Sequence, residues 1–356
     1  MVIEIAGQAI CTDCRAFVVA EMSANHLGSK QRAFDIIKAA KAAGCDAVKL
    51  QTYRADTITI DAHGPGFDLT EGPWAGRTLY ELYREAAMPW AWHAELFDFG
   101  AAVGIPIFSS PFDLTAVELL ESLDAPAYKI ASFEITDHEL IATCAKTGKP
   151  LLISTGLSSM RDVAEAVEVA KTHGCSPPIL LHCVSAYPTP YSEANLQRIT
   201  TLQNRFPDCV IGLSDHSPGS VLTGAAVALG ACVIEKHLTL ARNDGGPDSF
   251  FSLEPDEMAE VVSHAKVVWE ATRILRDSRS RGEEENAGFR RSLYAVAAIK
   301  IGERFTRQNV RSIRPGHGLA PKYLPNILGR KAIRDLSRGS PLSWDVVEGG
   351  QMGTDI

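Results

Sequence analysis

Residues 46–51, Asp-Ala-Val-Lys-Leu-Gln, and residues 127–132, Ala-Tyr-Lys-Ile-Ala-Ser, decide how this chain folds. Each is a short apolar run with one lysine near its C-terminal end, and each gives way to apolar residues at helical spacing. Runs of the same kind occur at 17–22 (FVVAEM), 106–111 (PIFSSP), 150–156 (PLLISTG), 179–185 (ILLHCVS), 210–216 (VIGLSDH) and 231–238 (ACVIEKHL). Between them the period changes to that of a helix, as at Val163, Ala166, Val167 and Ala170. Alternation of this kind implies parallel pairing with right-handed crossovers. Eight units close most simply as a (β/α)8 TIM barrel, with the last helix running from about Glu254 to Arg276.

Outward from those units the chain is less regular. The second-to-third connection carries HGPGFDLTEGPWAG (63–76), readable either as padding or as a substrate-facing loop. Periodicity breaks at RDSRSRGEEENAGF (276–289), which reads as a linker. Short strands with Gly and Pro turns follow: YAVAAI (294–299), Val310–Ile313, the loop RPGHG (314–318), and GSPLSWDVV (339–347) as a turn and one more strand. The expected division is therefore a barrel domain over 1–276, a linker over 277–290, a small mainly-β module over 291–349 and a tail over 350–356.

Charge divides along the same line. The 356 residues carry a net charge of −8, yet residues 291–349 hold 11 Lys/Arg against 4 Asp/Glu. A basic module on an acidic body opens the question of nucleic acid. Its aromatics, Tyr294, Phe305, Tyr323 and Trp344, sit among apolar residues rather than between cations, so nucleic acid is not the expected partner. The longest uncharged run, Ser217 to Ile234, is broken by Pro218 and three glycines and does not read as a membrane span. The first residues, MVIEIAGQAI, lack a basic leader, so a soluble, cytoplasmic protein is expected. Its eight cysteines are scattered and read as reduced thiols. Cys11-Thr12-Asp13-Cys14 has redox spacing but precedes the first barrel strand, and no second pair is spaced for zinc.

In a barrel of this type, residues at the C-terminal ends of the strands build the active site. Here those ends supply Glu21, then Lys49 and Gln51, then Ser109 and Ser110, then Lys129, Ser132 and Glu134. Further round come Ser154 and Thr155, His182, Ser185 and Tyr187, then Ser214, Asp215 and His216, and finally Glu235, Lys236 and His237. Lys49 and Lys129 lie on strands of the same parity, so both reach one interior layer. Buried without partners they would be costly. An anionic substrate answers that, and ion pairs with Glu21 or Glu134 are the structural alternative. His216 and His237 end adjacent strands in an oxygen-rich mouth, which suits Mn²⁺, Co²⁺ or Zn²⁺. His182 reads as core, and Ser217-Pro218 as the start of the next helix.

The ordered motifs AEMSANHLGS, AVKLQTY, FSSPFD, YKIASFE, LISTG, LHCVSAYPTP, GLSDHS, EKHLT and GPDSFFSLEP resemble those of the sialic acid synthase family. RPGHGLAP is similar to that family's C-terminal SAF (antifreeze-like) domain. Within the family, AVKLQTYRADTIT, GPWAGRTLYELYREAAMPW and KIASFE are most similar to the pseudaminic acid branch, and Phe133 stands where the neuraminate branch typically has Gly. The resemblance implies metal-assisted condensation of phosphoenolpyruvate with an open-chain 2-acetamido sugar, 2,4-diacetamido-2,4,6-trideoxy-L-altrose for this branch, releasing phosphate by C–O cleavage. N-acetylneuraminate and legionaminate synthesis are the alternatives. It implies that Lys49, Ser110, Lys129, Ser132, Ser154 and Ser214 hold phosphoenolpyruvate and that His216 and His237 hold Mn²⁺, with Mg²⁺ or Co²⁺ as substitutes. Gln51, Tyr187 and Asp248 would contact the sugar, with Glu21 and Glu134 near the reacting centre. Arg314 would arrive from the partner in a domain-swapped homodimer. An apolar wall from Phe133 and the Trp74/Trp90 region would suit the sugar's C6 methyl.

Overall fold

The computed structural model describes residues 2–272 and 278–350. The chain divides into two compact units, Met1–Ile274 and Leu275–Ile356.

The first unit is a closed barrel of eight parallel strands in sequential order. They are β1 (Phe17–Glu21), β2 (Ala47–Thr52), β3 (Ile107–Pro111), β4 (Tyr128–Ile130), β5 (Leu151–Ser154), β6 (Ile179–Cys183), β7 (Val210–Asp215) and β8 (Val233–His237). All eight expected runs are strands. Eight helices follow them: α1 (Lys30–Ala43), α2 (His93–Val103), α3 (Leu114–Ser122), α4 (His138–Lys146), α5 (Met160–Thr172), α6 (Gln197–Arg205), α7 (Val221–Ala228) and α8 (Pro255–Thr272). Their starts are set locally. Ser29 accepts from Arg32 N, Asp113 from Thr115 N, Asp137 from Leu140 N and Ser159 from Asp162 N, each satisfying a helix donor that has no intrahelical partner. Ser217-Pro218 does not start α7, which begins at Val221. The end expected for α8 falls on residues 273–276, outside those described.

Strand alternation sorts the side chains. Val18, Ala20, Val48 and Leu50 face outward into a core shared with Ile36, Ile37 and Ala40 of α1. Phe17, Val19, Ala47, Phe108, Leu152, Leu181 and Val233 face inward and fill the lower barrel. Ile3, Ile5 and Ile10, from an antiparallel hairpin (Ile3–Ile5 with Gln8–Ile10) that the sequence reading missed, join that inner cluster. Only glycine fits at 212, where a Cβ would lie 2.6 Å from both Leu181 Cδ2 and the Val233 carbonyl oxygen. The reading of all cysteines as reduced thiols is corrected here: Cys11 and Cys14 form a disulfide between the hairpin and β1.

The connection after β2 is structured. It holds a two-residue hairpin, Asp68–Leu69 with Arg77–Thr78, and a helix, Leu79–Ala86, started by a Thr78/Glu81 capping box.

In the second unit β9 (Ser292–Ala295) pairs antiparallel with β10 (Val310–Ile313). Leu293, Ile299, Phe305, Val310, Ile327, Leu342 and Val346 form its core. The segment read as linker holds a short helix, Arg281–Asn286, capped by Ser280, and one expectation fails beyond it. The last stretch is a single helical turn at Trp344–Val346 with isolated bridges, rather than a strand. No described helix is long and apolar enough to cross a membrane.

Candidate active site

Above the apolar floor, the same alternation turns Glu21, Lys49, Gln51, Ser110, Lys129, Ser154, Ser214, Glu235 and His237 toward the interior. Register brings them level: Glu21 lies beside Lys49 and beside His237, Gln51 beside Ser110, and Ser214 beside Glu235.

Both lysines are buried and meet at Glu235. Lys49 Nζ lies 2.6 Å from Glu21 Oε2 and 3.6 Å from Glu235 Oε1, and Lys129 Nζ lies 3.5 Å from Glu235 Oε1. Ser214 Oγ donates to Glu235 at 3.0 Å, and Lys49 donates to Ser110 Oγ at 3.2 Å. Burial alone would raise the Glu235 carboxyl, but Lys129 and Lys49 outweigh it and hold the group at about 2. The Lys129 ammonium is shifted down, by burial first, while Glu21 and Glu235 keep Lys49 raised against the same burial. Burial raises Glu21 despite its pairing with Lys49. The structural alternative for the lysines is thus partly realised, through Glu21 and Glu235 and not through Glu134. Glu235, named among the strand ends but given no role by the sequence reading, is the partner both lysines share.

Glu134 stands apart, on a helical turn (Ser132–Glu134) after β4. Burial lifts its carboxyl to about 7, Lys129 opposing, and its buried Oε2 has no hydrogen-bond partner among the described residues. Ser154 Oγ and His237 Nδ1 are likewise buried and unpaired. Orphaned polar atoms converging on one barrel mouth are the mark of a site completed by ligand or water. Ser132 Oγ accepts from Gly156 N at 3.1 Å, so it also shapes the loop after β5.

The imidazoles of His216 and His237 stand 5.2 Å apart between ring centroids. His216 Nδ1 lies 3.1 Å from the Val184 carbonyl oxygen. With Nδ1–H donating to that carbonyl the ring is oriented and the lone pair of Nε2 is left free to bind an ion. Burial, then His216 and the lysines, keep His237 well below its ordinary value and therefore neutral. Burial lowers the His216 imidazole, but Cys183 and the Val184 carbonyl outweigh it and raise the group, so a divalent ion completed by substrate and water would displace a proton there and meet a neutral nitrogen at His237. Among the described residues no group of three or more His, Cys, Asp or Glu forms a closed metal cage. His182 is core, its Nε2 2.7 Å from the Ala194 carbonyl oxygen.

Over this layer lies a cavity of about 390 Å³. Gln51, Glu134, Tyr187, His237 and Asp248 line it, together with Trp74 and the largely exposed Phe133. Gln51 Nε2 donates to Glu21 at 3.1 Å and to Ser23 at 2.9 Å, and Ser23 Oγ donates in turn to Asp248. Tyr187 packs on His216 with ring centroids 4.5 Å apart. Trp90 is not part of this wall: it stacks under Arg54, 3.9 Å from guanidinium carbon to ring centroid, and its Nε1 donates to Tyr53 O. Arg314 belongs to the second unit, where it is exposed.

A closed parallel barrel with a cationic, histidine-bearing mouth and a C-terminal SAF domain defines a class of carbon–carbon bond-forming synthases. The NeuB family model matches residues 36–274 and the SAF domain model residues 290–348, and the chain belongs to the NeuB family. Pseudaminic acid synthase of Campylobacter jejuni is 42% identical over 334 residues, covering 93% of this chain and 96% of that protein. Pseudaminic acid synthase of Helicobacter pylori is 39% identical over 335 residues, covering 93% and 97%. The crystal structure of N-acetylneuraminic acid (sialic acid) synthetase from Leptospira borgpetersenii, in complex with citrate, superposes with a TM-score of 0.71 at 29% identity, covering 80% of this chain and 95% of that one.

Proposed function

We propose that the chain condenses phosphoenolpyruvate with open-chain 2,4-diacetamido-2,4,6-trideoxy-L-altrose to give pseudaminic acid and phosphate. The observation that carries this reading is the similarity, along nearly the whole chain, to two pseudaminic acid synthases.

The side chains supply the parts. Lys49 and Lys129, with Ser110, Ser132, Ser154 and Ser214, hold the phosphate and carboxylate of phosphoenolpyruvate, exchanging part of their pairing with Glu21 and Glu235 for the substrate. Gln51, Tyr187 and Asp248 orient the sugar, and Arg314 contributes from the SAF domain of the partner in a domain-swapped homodimer. His216 and His237 hold the divalent ion, Mn²⁺ first and Mg²⁺ or Co²⁺ as substitutes, which supplies Lewis-acid polarisation of the aldehyde. C3 of phosphoenolpyruvate then attacks C1 of the sugar: its C2=C3 π pair forms the new C–C bond, leaving cationic character at C2, while the aldehyde π pair moves onto the sugar oxygen, which takes a proton from water to become a hydroxyl. Water adds at C2, and Glu134, with its carboxyl near neutrality, takes the proton. Glu21, held by Lys49 and Gln51, is the poorer base and instead orders the sugar contacts. C–O cleavage at C2 expels phosphate, its charge offset by the lysines.

We place the barrel in 1–276, the linker in 277–290, the SAF domain in 291–349 and a tail in 350–356, and infer a cytoplasmic enzyme. Phosphate release from phosphoenolpyruvate, Mn²⁺ and each candidate sugar tests the function. Turnover with the trideoxy sugar is expected. Faster turnover with N-acetylmannosamine, or with the corresponding legionaminate precursor, would replace the substrate.

A further inference from the structure

The cavity above the strand ends is not uniform. The strand ends and the loops beside them give its lining His237, Glu134, Gln51 and Asp248, whereas Ile58, Leu79, Leu82 and Phe112 give it aliphatic and aromatic surface, with Thr59 and Tyr83 beside them. Ile58, Leu79 and Leu82 belong to the long connection after β2, either on the turn at Ala55–Ile58 or on the helix Leu79–Ala86. That connection is also fastened to the sugar-binding loop. Trp74 Nε1 donates to the Pro247 carbonyl oxygen at 3.0 Å, one residue before Asp248, and its ring lies 6.2 Å from that of Tyr187.

We propose that Ile58, Leu79 and Leu82 form the specificity wall of this enzyme and receive the deoxygenated C6 end of the sugar. The proposal rests on the function given above and adds residues that determine which sugar is accepted. The separation between strand-end groups and the connection after β2 fixes the direction of the occupant. An aldehyde and its neighbouring polar substituents belong at the His237 end, and the chain's other end then meets the aliphatic side chains. A C6 methyl gains by burial there. A C6 hydroxyl set against these three aliphatic side chains would lose its water with no hydrogen bond from them in return, Thr59 and Tyr83 being the hydroxyls on the same connection. An apolar pocket rejects an added hydroxyl by about 100-fold at most, so the wall sets a preference of that order and does not exclude the hydroxylated sugar altogether. Trp74 makes the wall part of the site: by holding Pro247, it links the position of the connection to that of Asp248.

The test compares kcat/KM for the trideoxy sugar with kcat/KM for its 6-hydroxy counterpart, 2,4-diacetamido-2,4-dideoxy-L-altrose. The proteins are the wild type, Leu79→Gln and Ile58→Thr. Both positions are only half-buried, which limits damage to folding. Wild-type protein is expected to favour the deoxy sugar by ~10- to 100-fold. Each variant should bring the ratio toward unity while KM for phosphoenolpyruvate and the thermal midpoint stay put. A ratio unchanged in both variants, or no preference in the wild type, overturns the wall. Wild-type protein that releases no phosphate with the trideoxy sugar but does so with N-acetylmannosamine overturns the function itself, and the wall with it.

Discussion

Lys236 Nζ lies 2.7 Å from Asp215 Oδ2, a fully buried ion pair between the residues that immediately precede the two histidines. The same ammonium donates to the Ser217 carbonyl oxygen at 2.8 Å, and Ser217 N donates back to Asp215 Oδ1 at 2.9 Å. Asp215 and Lys236 are register partners on β7 and β8. Because strand alternation turns them opposite to their neighbours, the pair ties the backbone on either side of His216 and fixes both imidazoles at one height.

Breaking that pair leaves a buried carboxylate without its partner. Lys236→Met should lower stability by about 3–5 kcal/mol. Removing the charge as well, in Asp215→Asn/Lys236→Met, should recover part of that loss. Both variants should bind Mn²⁺ roughly tenfold more weakly, the usual scale for lost support behind a metal ligand. Urea unfolding and Mn²⁺ titration measure the two effects. Unaltered Mn²⁺ affinity in a folded double variant would assign the pair to stability alone.

Glu134 should govern the acid limb of the pH profile. Its carboxyl sits at about 7, and the ionised form is the base, so kcat/KM should rise as pH increases through about 7 and level off above. Glu134→Gln should lose at least about 100-fold in kcat and the limb with it. Stability runs the other way. The folded value exceeds the unfolded one, so the folded protein binds this proton more tightly, and the stability it confers below about pH 4.5 is lost by pH 7. Above that pH Glu134→Gln should be more stable than the wild type by up to about 3 kcal/mol. Thermal melts at pH 5 and pH 8 check the sign.

Most of the barrel is legible in the sequence because strands buried on both faces leave continuous apolar runs, and even the three-residue β4 announces itself in Ala-Tyr-Lys-Ile. The hairpin at Ile3–Ile5 is too short to show alternation, and Arg281–Asn286 has no apolar face, so its capping box was its only signal. Lys49 and Lys129 could be placed in one layer by strand parity. Their shared partner could not, since Glu235 reaches them only once β8 closes against β1. Glu134 posed the opposite problem: its residue type was plain, but its elevated carboxyl comes from burial that only the folded mouth supplies. Trp90, expected with Trp74 and Phe133 to offer an apolar wall, instead stacks under Arg54, a contact that sequence order does not disclose.

Lys129 offers a cleaner view of phosphoenolpyruvate binding than Lys49, which is also tied to Glu21 and Ser110. In Lys129→Met, Glu235 keeps Lys49 and Ser214 as partners, so folding should survive. KM for phosphoenolpyruvate should rise about 10- to 100-fold, the scale of a lost charge-assisted contact, with KM for the sugar little changed. Equal rises in both constants would place the lysine in general site architecture instead.

Metal removal separates binding from chemistry. Activity should vanish in EDTA and return with Mn²⁺, since stripping the ion from the two imidazoles removes the Lewis acid that would polarise the aldehyde. A second readout does not depend on turnover. An ion held by the folded protein and not by the unfolded chain stabilises it by about 2.7 kcal/mol at one hundred times its Kd. The thermal midpoint of EDTA-stripped protein should therefore climb with Mn²⁺. His237→Asn removes the imidazole whose Nδ1 is already unpaired, and should abolish the climb at little cost to the stripped protein. His216→Asn should abolish it too, but with a larger loss of stability, because it also gives up the contact to the Val184 carbonyl and the packing on Tyr187. A midpoint that climbs equally in both variants would move the ion away from these histidines.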